Sequence, residues 1–282
     1  MCALSGVSRA SYYRDWRRVA PRREETALRD VLQRLAVGHR HYGYRRLTQL
    51  LHREGWAVNH KRVLRLMRTD NLLCLRRPAF VPATTDSRHD WRAVPNFARG
   101  LQVRGLDQLW VADITYVRLR EEFAFLAVVL DAFSRRVVGW ALDSHLRAAL
   151  AVAALQMALA MRRPCPGQLI HHSDRGIQYA CAEYSALLEA HGIQPSMSRI
   201  GSPYDNARAE SFMSTLKREE VDGRRYRDAA DARRSIGTFI DVVYNRQRLH
   251  SALSYLAPVE FEATLPPVMS LGQRAHAVHH PY

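Results

Sequence analysis

Three carboxylates have residue types and spacing that fit a site for divalent cations. Asp113 lies between the apolar residues of a β-rich run, Asp174 follows a short apolar strand, and Glu210 lies in a helical stretch. Magnesium prefers carboxylate oxygens, and two such ions roughly 4 Å apart activate an attacking oxygen and stabilise the leaving oxygen in phosphodiester cleavage. The sequence therefore contains candidate ligands for metal-dependent phosphoryl transfer.

Each acid alone also has an ordinary explanation. A charge inside a core strand is costly unless it is paired or bound to metal, but Asp113 fits a solvated sheet edge equally well. Asp174 stands at the end of a strand, where α/β sites usually lie, and it also precedes an Arg-Gly pair that suits a turn. Glu210 fits the solvated face of an amphipathic helix.

The excess of positive charge indicates a polyanionic partner, nucleic acid first and an anionic membrane second. The chain of 282 residues has 42 Lys+Arg and 27 Asp+Glu, a net charge of +15. Residues 1–108 hold 22 of the basic and 9 of the acidic residues, so almost all of the excess lies in the N-terminal third. A uniform preference for arginine would not segregate in this way, whereas an attached nucleic-acid-binding segment would.

Cysteine usage and hydropathy indicate an intracellular protein. The four cysteines form no CxxC pair, which argues against a disulfide framework and a cysteine-rich zinc site. No apolar run is long enough to span a membrane, and the N-terminus lacks a signal-peptide pattern. We therefore predict a cytoplasmic, nucleoid-associated protein. A histidine cluster near the C-terminus is interpreted as part of a polar tail.

The basic N-terminal third predicts a helix-turn-helix-like segment. Helices are expected over residues 4–18, 24–37, 44–54 and 60–69, with Gly55 as a helix stop and Asn59 as an N-cap. In the last helix an apolar face of Val63, Leu66 and Met67 opposes a basic face of Lys61, Arg65 and Arg68. Such a basic face suits contact with DNA, although many solvated helices share it.

The rest of the chain predicts an α/β fold with a mixed sheet. Three β-rich runs (109–119, 123–133 and 135–142) indicate an antiparallel meander. A helix over 145–163, a strand over 167–173, a helix over 182–191, a strand-like segment over 192–198 and a helix over 204–220 follow. This is the element order of the RNase H-like fold. Further helices are expected over 228–244 and 258–263.

Several stretches resemble one family when they are taken together. These are LWVADITYV, LDAFSRRVVGW, HHSDRGIQY, SMSRIGSPYDNARAESFMSTLKRE and YNRQRLHSAL, with 35 residues between Asp174 and Glu210. The stretch HYGYRRLTQLLHREGWAVNHKRVLRLMR resembles that family's N-terminal segment. The chain is similar to the OrfB-type DDE transposases of bacterial insertion sequences, within the retroviral integrase superfamily.

The resemblance implies a function and a site. Asp113, Asp174 and Glu210 would form the catalytic triad and hold two Mg²⁺ ions, for which Mn²⁺ would substitute, and Lys217 would contact transposon-end DNA. The expected activity is binding of terminal inverted repeats, followed by strand cleavage and strand transfer. The expected partners are double-stranded DNA at the transposon ends and the target, further copies of this chain, and OrfA or a fused OrfAB. The zinc module of retroviral integrases is not expected.

The remaining assignments concern boundaries and supporting residues. We predict a basic DNA-binding segment over 1–77, a linker over 78–106, a catalytic core over 107–263 and a tail over 264–282. His172 and Ser173 are expected to position Asp174, whereas Asp205 and Asn206 are expected to cap the Glu210 helix and shape the site. The motif YNRQRLHSAL either braces that helix or touches DNA. Asp131 and Asp143 are interpreted as structural.

Two other functions share some of these features. A DNA-binding regulator without catalysis would use the basic N-terminal third but would not need three acids in register. A nuclease that acts on RNA–DNA hybrids would share the fold and the metals but would not need Lys217 or the helix-turn-helix.

Overall fold

A computed structural model describes residues 23–74, 94–198 and 206–266 of the chain. The chain divides into two compact units, Met1–Pro78 and Ala79–Tyr282. The predicted helix over 4–18, Asp205 and most of the predicted tail lie outside the described residues. Within the described ranges, every helix is too short or too polar to traverse a lipid bilayer.

The first unit contains the three predicted helices, α1 (Arg23–Gly38), α2 (Tyr44–Arg53) and α3 (His60–Thr69). Apolar residues at helical spacing pack together between them because each helix has one apolar face. The buried set comprises Leu28, Leu32, Leu47, Leu51, Val63, Leu66 and Met67.

The turn between α2 and α3 has the predicted chemistry. Gly55 follows the end of α2 with φ at +86°, a left-handed conformation that glycine adopts without steric cost. The side chain of Asn59 accepts a hydrogen bond of 2.8 Å from the amide of Lys61, so it caps α3. Both predictions are confirmed.

The second unit is built on a five-stranded sheet with the order β3-β2-β1-β4-β5. Its strands are β1 (Leu109–Arg118), β2 (Phe123–Asp131), β3 (Val137–Asp143), β4 (Ile170–Ser173) and β5 (Gln194–Met197). The first three form the predicted antiparallel meander, while β4 pairs parallel with β1 and with β5. The predicted mixed sheet is confirmed.

Helices cover both faces of this sheet. They are α4 (Ala148–Arg162), α5 (Ile177–Ala180), α6 (Ala182–Ala190), α7 (Ala207–Leu216), α8 (Ala229–Thr238) and α9 (Pro258–Ala263). Two of them continue as π-helical segments, α7 into Lys217–Val221 and α8 into Phe239–Gln247. A 3₁₀ turn, Ser251–Leu253, precedes α9.

Alternation along β1 assigns each residue to one layer. Val111 and Val117 belong to the core that contains Phe212 of α7, whereas Trp110 and Ala112 belong to the core on the α4 side. Since successive side chains of a strand point to opposite faces, Asp113 shares the face of Val111 and is directed toward the α7 layer.

Candidate active site

Asp113 lies in the middle of the central strand, opposite Val128 of β2. Its Oδ1 accepts a hydrogen bond of 2.9 Å from the amide of Ile114. Burial, followed by repulsion from Asp174 and from Glu210, raises the pKa of Asp113 to about 7, against an opposing hydrogen bond from Ile114 and an opposing charge on Lys217. The carboxyl group is therefore partly desolvated and is surrounded by the other predicted site residues.

Asp174 directly follows β4, the strand that pairs with β1. The parallel register sets Val111 against His172, so Asp174 leaves the end of β4 on the side of the sheet's centre where Asp113 lies on the neighbouring strand. The charge of Asp174 accordingly raises the pKa of Asp113. Oδ1 of Asp174 accepts a hydrogen bond of 3.0 Å from the amide of Gly176.

Glu210 stands on an exposed position of α7, one helical turn from its start. Burial of its carboxyl group raises its pKa, and its charge in turn raises the pKa of Asp113. The buried neighbours Ala209, Phe212 and Met213 pack α7 on the sheet. The predicted division of this helix into an apolar arc and a polar arc is confirmed.

Asn206 anchors the start of α7 to the central strand. Its Nδ2 donates a hydrogen bond of 3.0 Å to the carbonyl oxygen of Ala112, the residue before Asp113. The prediction that its side chain caps the helix is wrong, because no capping bond forms and its backbone (φ −119°, ψ 25°) departs from the extended conformation of an N-cap. The buried carbonyl of Ala112 takes the amide instead.

Lys217 lies at the edge of the same group. Its Nζ is 4.7 Å from the centroid of the Tyr116 ring, which places the ammonium group over an aromatic face. Tyr116 follows Asp113 by three residues on β1, and the charge of Lys217 lowers the pKa of Asp113. Asp174, Glu210 and Lys217 are therefore all near enough to Asp113 for their charges to shift its pKa.

The donor set fits a divalent cation. Among the described residues no three His, Cys, Asp or Glu side chains are close enough together, as they stand, to hold an ion. However, the charges of Asp174 and Glu210 add to the effect of burial in raising the pKa of Asp113, so the three carboxylates repel one another. A cation between them would remove this repulsion, and oxygen ligands are those that Mg²⁺ prefers.

His172 and Ser173 connect the site to its scaffold. The ring nitrogens of His172, a fully buried residue, lie 2.9 Å and 3.0 Å from the hydroxyl oxygens of Ser196 and Ser198, so the ring ties β4 to β5. The hydroxyl of Ser173 donates a hydrogen bond of 3.0 Å to the carbonyl oxygen of Asp174. Asp205, the other residue predicted to shape the site, lies outside the described residues.

The motif YNRQRLHSAL supports α7 and the sheet. The ring of Tyr244 stands edge-on to Phe212 of α7, with centroids 4.8 Å apart. The side-chain amide of Asn245 accepts from the N–H of Val137 and donates to its carbonyl, both at 3.0 Å. Of the two alternatives for this motif, these contacts favour bracing.

The two aspartates interpreted as structural differ in their surroundings. Asp131 is buried, and its carboxylate accepts amide hydrogen bonds from Asp107, Phe133 and Ser134 over 2.7–2.9 Å. Asp143 is exposed at the end of β3, where its carboxylate accepts hydrogen bonds from the hydroxyl of Ser144 and the amide of His145, both at 3.3 Å. Both carboxylates hold turns.

Tyr179 is a neighbour of the site that was not predicted from the sequence. Its hydroxyl is buried and makes no hydrogen bond to any described residue. Burial, followed by repulsion from Tyr184, Asp174 and Asp113, raises its pKa well above the usual value. The available signal was its position, five residues after Asp174 at the end of HHSDRGIQY.

The predicted DNA-facing helix of the first unit has the expected two faces. Lys61, Arg65 and Arg68 are exposed on α3. Val63, Leu66 and Met67 of the same helix are buried. The basic side chains are accordingly presented to solvent on one side of the unit.

Comparison with known families gives three matches along the chain. Two integrase core domain models match residues 105–203 and 191–258, and a model described as an HTH-like domain matches residues 22–80. The first two ranges contain Asp113, Asp174, Glu210 and Lys217, and the third contains α3.

Individual relatives extend over most of the chain. The Shigella sonnei insertion element IS600 uncharacterized 31 kDa protein is 37% identical over 266 residues, 93% of this chain and 97% of the relative. The Escherichia coli K12 transposase InsF for insertion sequence IS3A is 36% identical over 269 residues, 93% of this chain and 92% of the relative. A chain of the simian T-cell lymphotropic virus intasome, solved in complex with PP2A regulatory subunit B56 gamma, aligns with a TM-score of 0.48, 17% identity and coverage of 88% and 80%.

Proposed function

The chain belongs to the integrase-core transposases of bacterial insertion sequences, and from this we propose how its residues cut and join DNA. The observation that supports the proposal is the electrostatic interaction of Asp113 on β1 with Asp174, which follows the neighbouring strand β4, and with Glu210 on α7. The proposed reaction has two steps. Hydrolysis of a phosphodiester at the element's end exposes a 3′-hydroxyl, and that hydroxyl then attacks a second phosphodiester and displaces its 3′-oxygen.

The proposed cofactor is a pair of Mg²⁺ ions, which Mn²⁺ can replace, held by Asp113, Asp174 and Glu210. When bound, such ions supply Lewis-acid chemistry that activates the attacking oxygen and neutralises charge at the scissile phosphate. The divalent-metal dependence is that of the integrase-core family, whereas the ion and its number are our proposal.

The protein's own residues position the substrate and the ligands. Lys217, held over Tyr116, offers a cation to a phosphate of the transposon end. Asn206 fixes α7, and with it Glu210, against the strand of Asp113. Ser173 and His172 hold the backbone and the strand that lead to Asp174.

We assign the parts of the chain as follows. Residues 1–77 bind the terminal inverted repeats through Lys61, Arg65 and Arg68 of α3, residues 78–106 link, residues 107–263 form the catalytic core, and residues 264–282 form a tail. Two ends must be paired before joining, so we propose a homo-oligomer on DNA, acting at the nucleoid. OrfA, or its fusion to this chain, is a proposed further partner.

The test is cleavage of labelled duplex DNA that carries the flanking inverted repeats. We expect wild type to nick at the repeat end in Mg²⁺, and Glu210→Gln to lose nicking at least 100-fold while it keeps DNA binding, because the exposed position of Glu210 makes it dispensable for folding. The matched control is Glu121→Gln, an acid with a side chain 87% exposed in the β1–β2 turn, which should nick like wild type.

The outcomes separate the assignments. Nicking that persists undiminished in Glu210→Gln contradicts the active site. Wild type that binds but never cuts, even with OrfA or as the fusion, would leave the regulator as the better account.

A further inference from the structure

A pocket of about 220 Å³ lies on the second unit, beside the start of α7. Its walls include Phe133 and Arg135 from the β2–β3 turn, Arg208 from the first turn of α7, and Leu253 and Phe261 from the C-terminal elements. The rings of Phe133 and Phe261 are 5.4 Å apart and form part of the apolar wall. The pocket therefore combines two guanidinium groups with an apolar surface.

The two arginines carry charge that the described residues do not neutralise by contact. Neither guanidinium makes an ion pair or a hydrogen bond to any described residue, whereas the neighbouring Arg136 and Arg162 both pair with Glu262. Burial, followed by repulsion from Arg135, lowers the pKa of Arg208, against a smaller opposing effect of Asp131. Two like charges thus face one pocket at an electrostatic cost that an anion would remove.

The turn that presents Arg135 is itself held in place. Arg135 has φ at +62°, a left-handed conformation that is unfavourable for a residue with a side chain. Its amide donates to the carbonyl of Asp131 at 2.9 Å, and the Asp131 carboxylate binds the amides of Phe133 and Ser134. Strain that the surroundings maintain in this way is typical of ligand-binding positions.

We propose that Arg135 and Arg208 bind a backbone phosphate of DNA in this pocket. The planar guanidinium groups match the oxygens of a phosphodiester, and the apolar wall of Phe133 and Leu253 suits the adjoining deoxyribose. The inference rests on the proposed function, since it gives the DNA a second anchor. Arg208 precedes Glu210 by two residues on α7, about 200° around the helix, so the bound phosphate would lie on a different face of α7 from the carboxylate.

The experiment compares two double variants of the full chain that lose the same charge. Arg135→Gln/Arg208→Gln removes the pocket pair, and Arg120→Gln/Arg225→Gln removes two exposed arginines near the Leu119–Tyr226 bridge. Binding to a fixed DNA duplex is measured in EDTA over a range of salt concentrations, together with the melting temperature of each protein. EDTA prevents cleavage, so the readout does not depend on catalysis.

We expect the pocket variant to bind several-fold more weakly and to lower the slope of log K against log salt by about 1, the loss of one phosphate contact. The control variant should keep the wild-type slope. The melting temperature of the pocket variant should equal or exceed that of wild type, because the variant relieves repulsion. Arg135→Lys/Arg208→Lys, which keeps both charges, should recover part of the affinity.

A pocket variant with the slope of the control overturns the inference. So does a lowered melting temperature with unchanged DNA binding, which would make the arginines structural. A failure of the proposed function is a different result, because it is read from Glu210-dependent nicking by wild type. A wild-type protein that nicks DNA while the pocket variant binds normally would therefore reject only the phosphate site.

Discussion

Asp113 shows how a single residue combines a structural cost with a chemical use. The alternation of β1 directs it into a layer that is otherwise apolar, where Val111 and Val117 are buried. Burial and the neighbouring acids raise its pKa to about 7. A carboxylate that is destabilised without a cation gains the most when a cation binds.

The unfavourable burial of the ionised Asp113 carboxylate leads to a prediction about the free energy of unfolding. Because the pKa of Asp113 rises on folding from 3.8 to about 7, the native state is favoured below pH 4 and loses stability as pH rises to about 7. At about 1.4 kcal/mol per pKa unit, we expect Asp113→Asn to be roughly 2–4 kcal/mol more stable than wild type at pH 8 in EDTA, with a small difference near pH 4.

Urea unfolding at both pH values measures this difference, and Glu121→Gln serves as the exposed control. Mg²⁺ should stabilise wild type more than Asp113→Asn. A stability difference that does not change between the two pH values would contradict the raised pKa.

The sequence predicted some of these residues and not others for a physical reason. Asp113 is conspicuous because a charge interrupts an apolar strand, whereas Glu210 also fits a solvated helix face, and Glu210 and Lys217 were assigned to the site through the family resemblance. Tyr179 comes near Asp174 and Asp113 only because α5 packs against the sheet. Arg208 comes near Arg135 only because α7 packs against the sheet. Contacts that depend on the tertiary fold cannot be predicted from the spacing of residues along the sequence.

At the scale of elements, close packing of α4 on the meander fixes the sheet beneath the site. Gly139 of β3 lies against the backbone of α4, where an added Cβ would overlap the carbonyl oxygen of Ala154 and come within 2.7 Å of the amide nitrogen of Ala158. Backbone atoms of a helix cannot move aside individually. A side chain at residue 139 would therefore displace the whole helix.

We expect Gly139→Ala to destabilise the protein by about 3 kcal/mol, the upper range for overpacking of a core. Chemical denaturation measures this change. Gly38→Ala is the matched control, because an added Cβ at this last residue of α1 has no atom within 4 Å. An unchanged denaturation midpoint in Gly139→Ala would show that α4 does not pack on β3 as described.

The helices that follow the site show the limit of periodicity. The sequence predicts one continuous helix over 204–220 and another over 228–244, but each changes to π-helical geometry before it ends. The first π-helical segment carries Glu219, which forms a buried bidentate ion pair with Arg248, at 2.6 Å and 3.2 Å. Hydrophobic spacing cannot distinguish these geometries, since the choice depends on long-range pairs of this kind.

At the scale of the whole molecule, charge and chemistry are divided along the chain. The N-terminal third carries most of the net charge of +15, while the three interacting carboxylates, Asp113, Asp174 and Glu210, belong to the remainder. The HTH-like match covers residues 22–80 and the integrase-core matches begin at residue 105. Under the proposed assignment, recognition of ends and cleavage of strands depend on different residues, so we expect them to be separable by mutation.

We expect Lys61→Gln/Arg65→Gln/Arg68→Gln to weaken duplex binding and to lower its salt slope by up to about 3, since each exposed side chain of α3 can contact one phosphate. The melting temperature should not change, because the three side chains lie opposite the buried face. Salt titration of binding to inverted-repeat DNA measures the slope. The charge-matched control neutralises three exposed arginines from other parts of the unit: Arg23, Arg40 and Arg53.

The comparison of the two triple variants decides whether α3 is the recognition element. If the control lowers the slope as much as the α3 variant, the first unit attracts DNA through its overall charge and not through that helix. If only the α3 variant loses preference for the inverted repeats over unrelated duplex, α3 reads the ends. Nicking by the α3 variant should then recover at DNA concentrations high enough to saturate it, because the carboxylate site is intact.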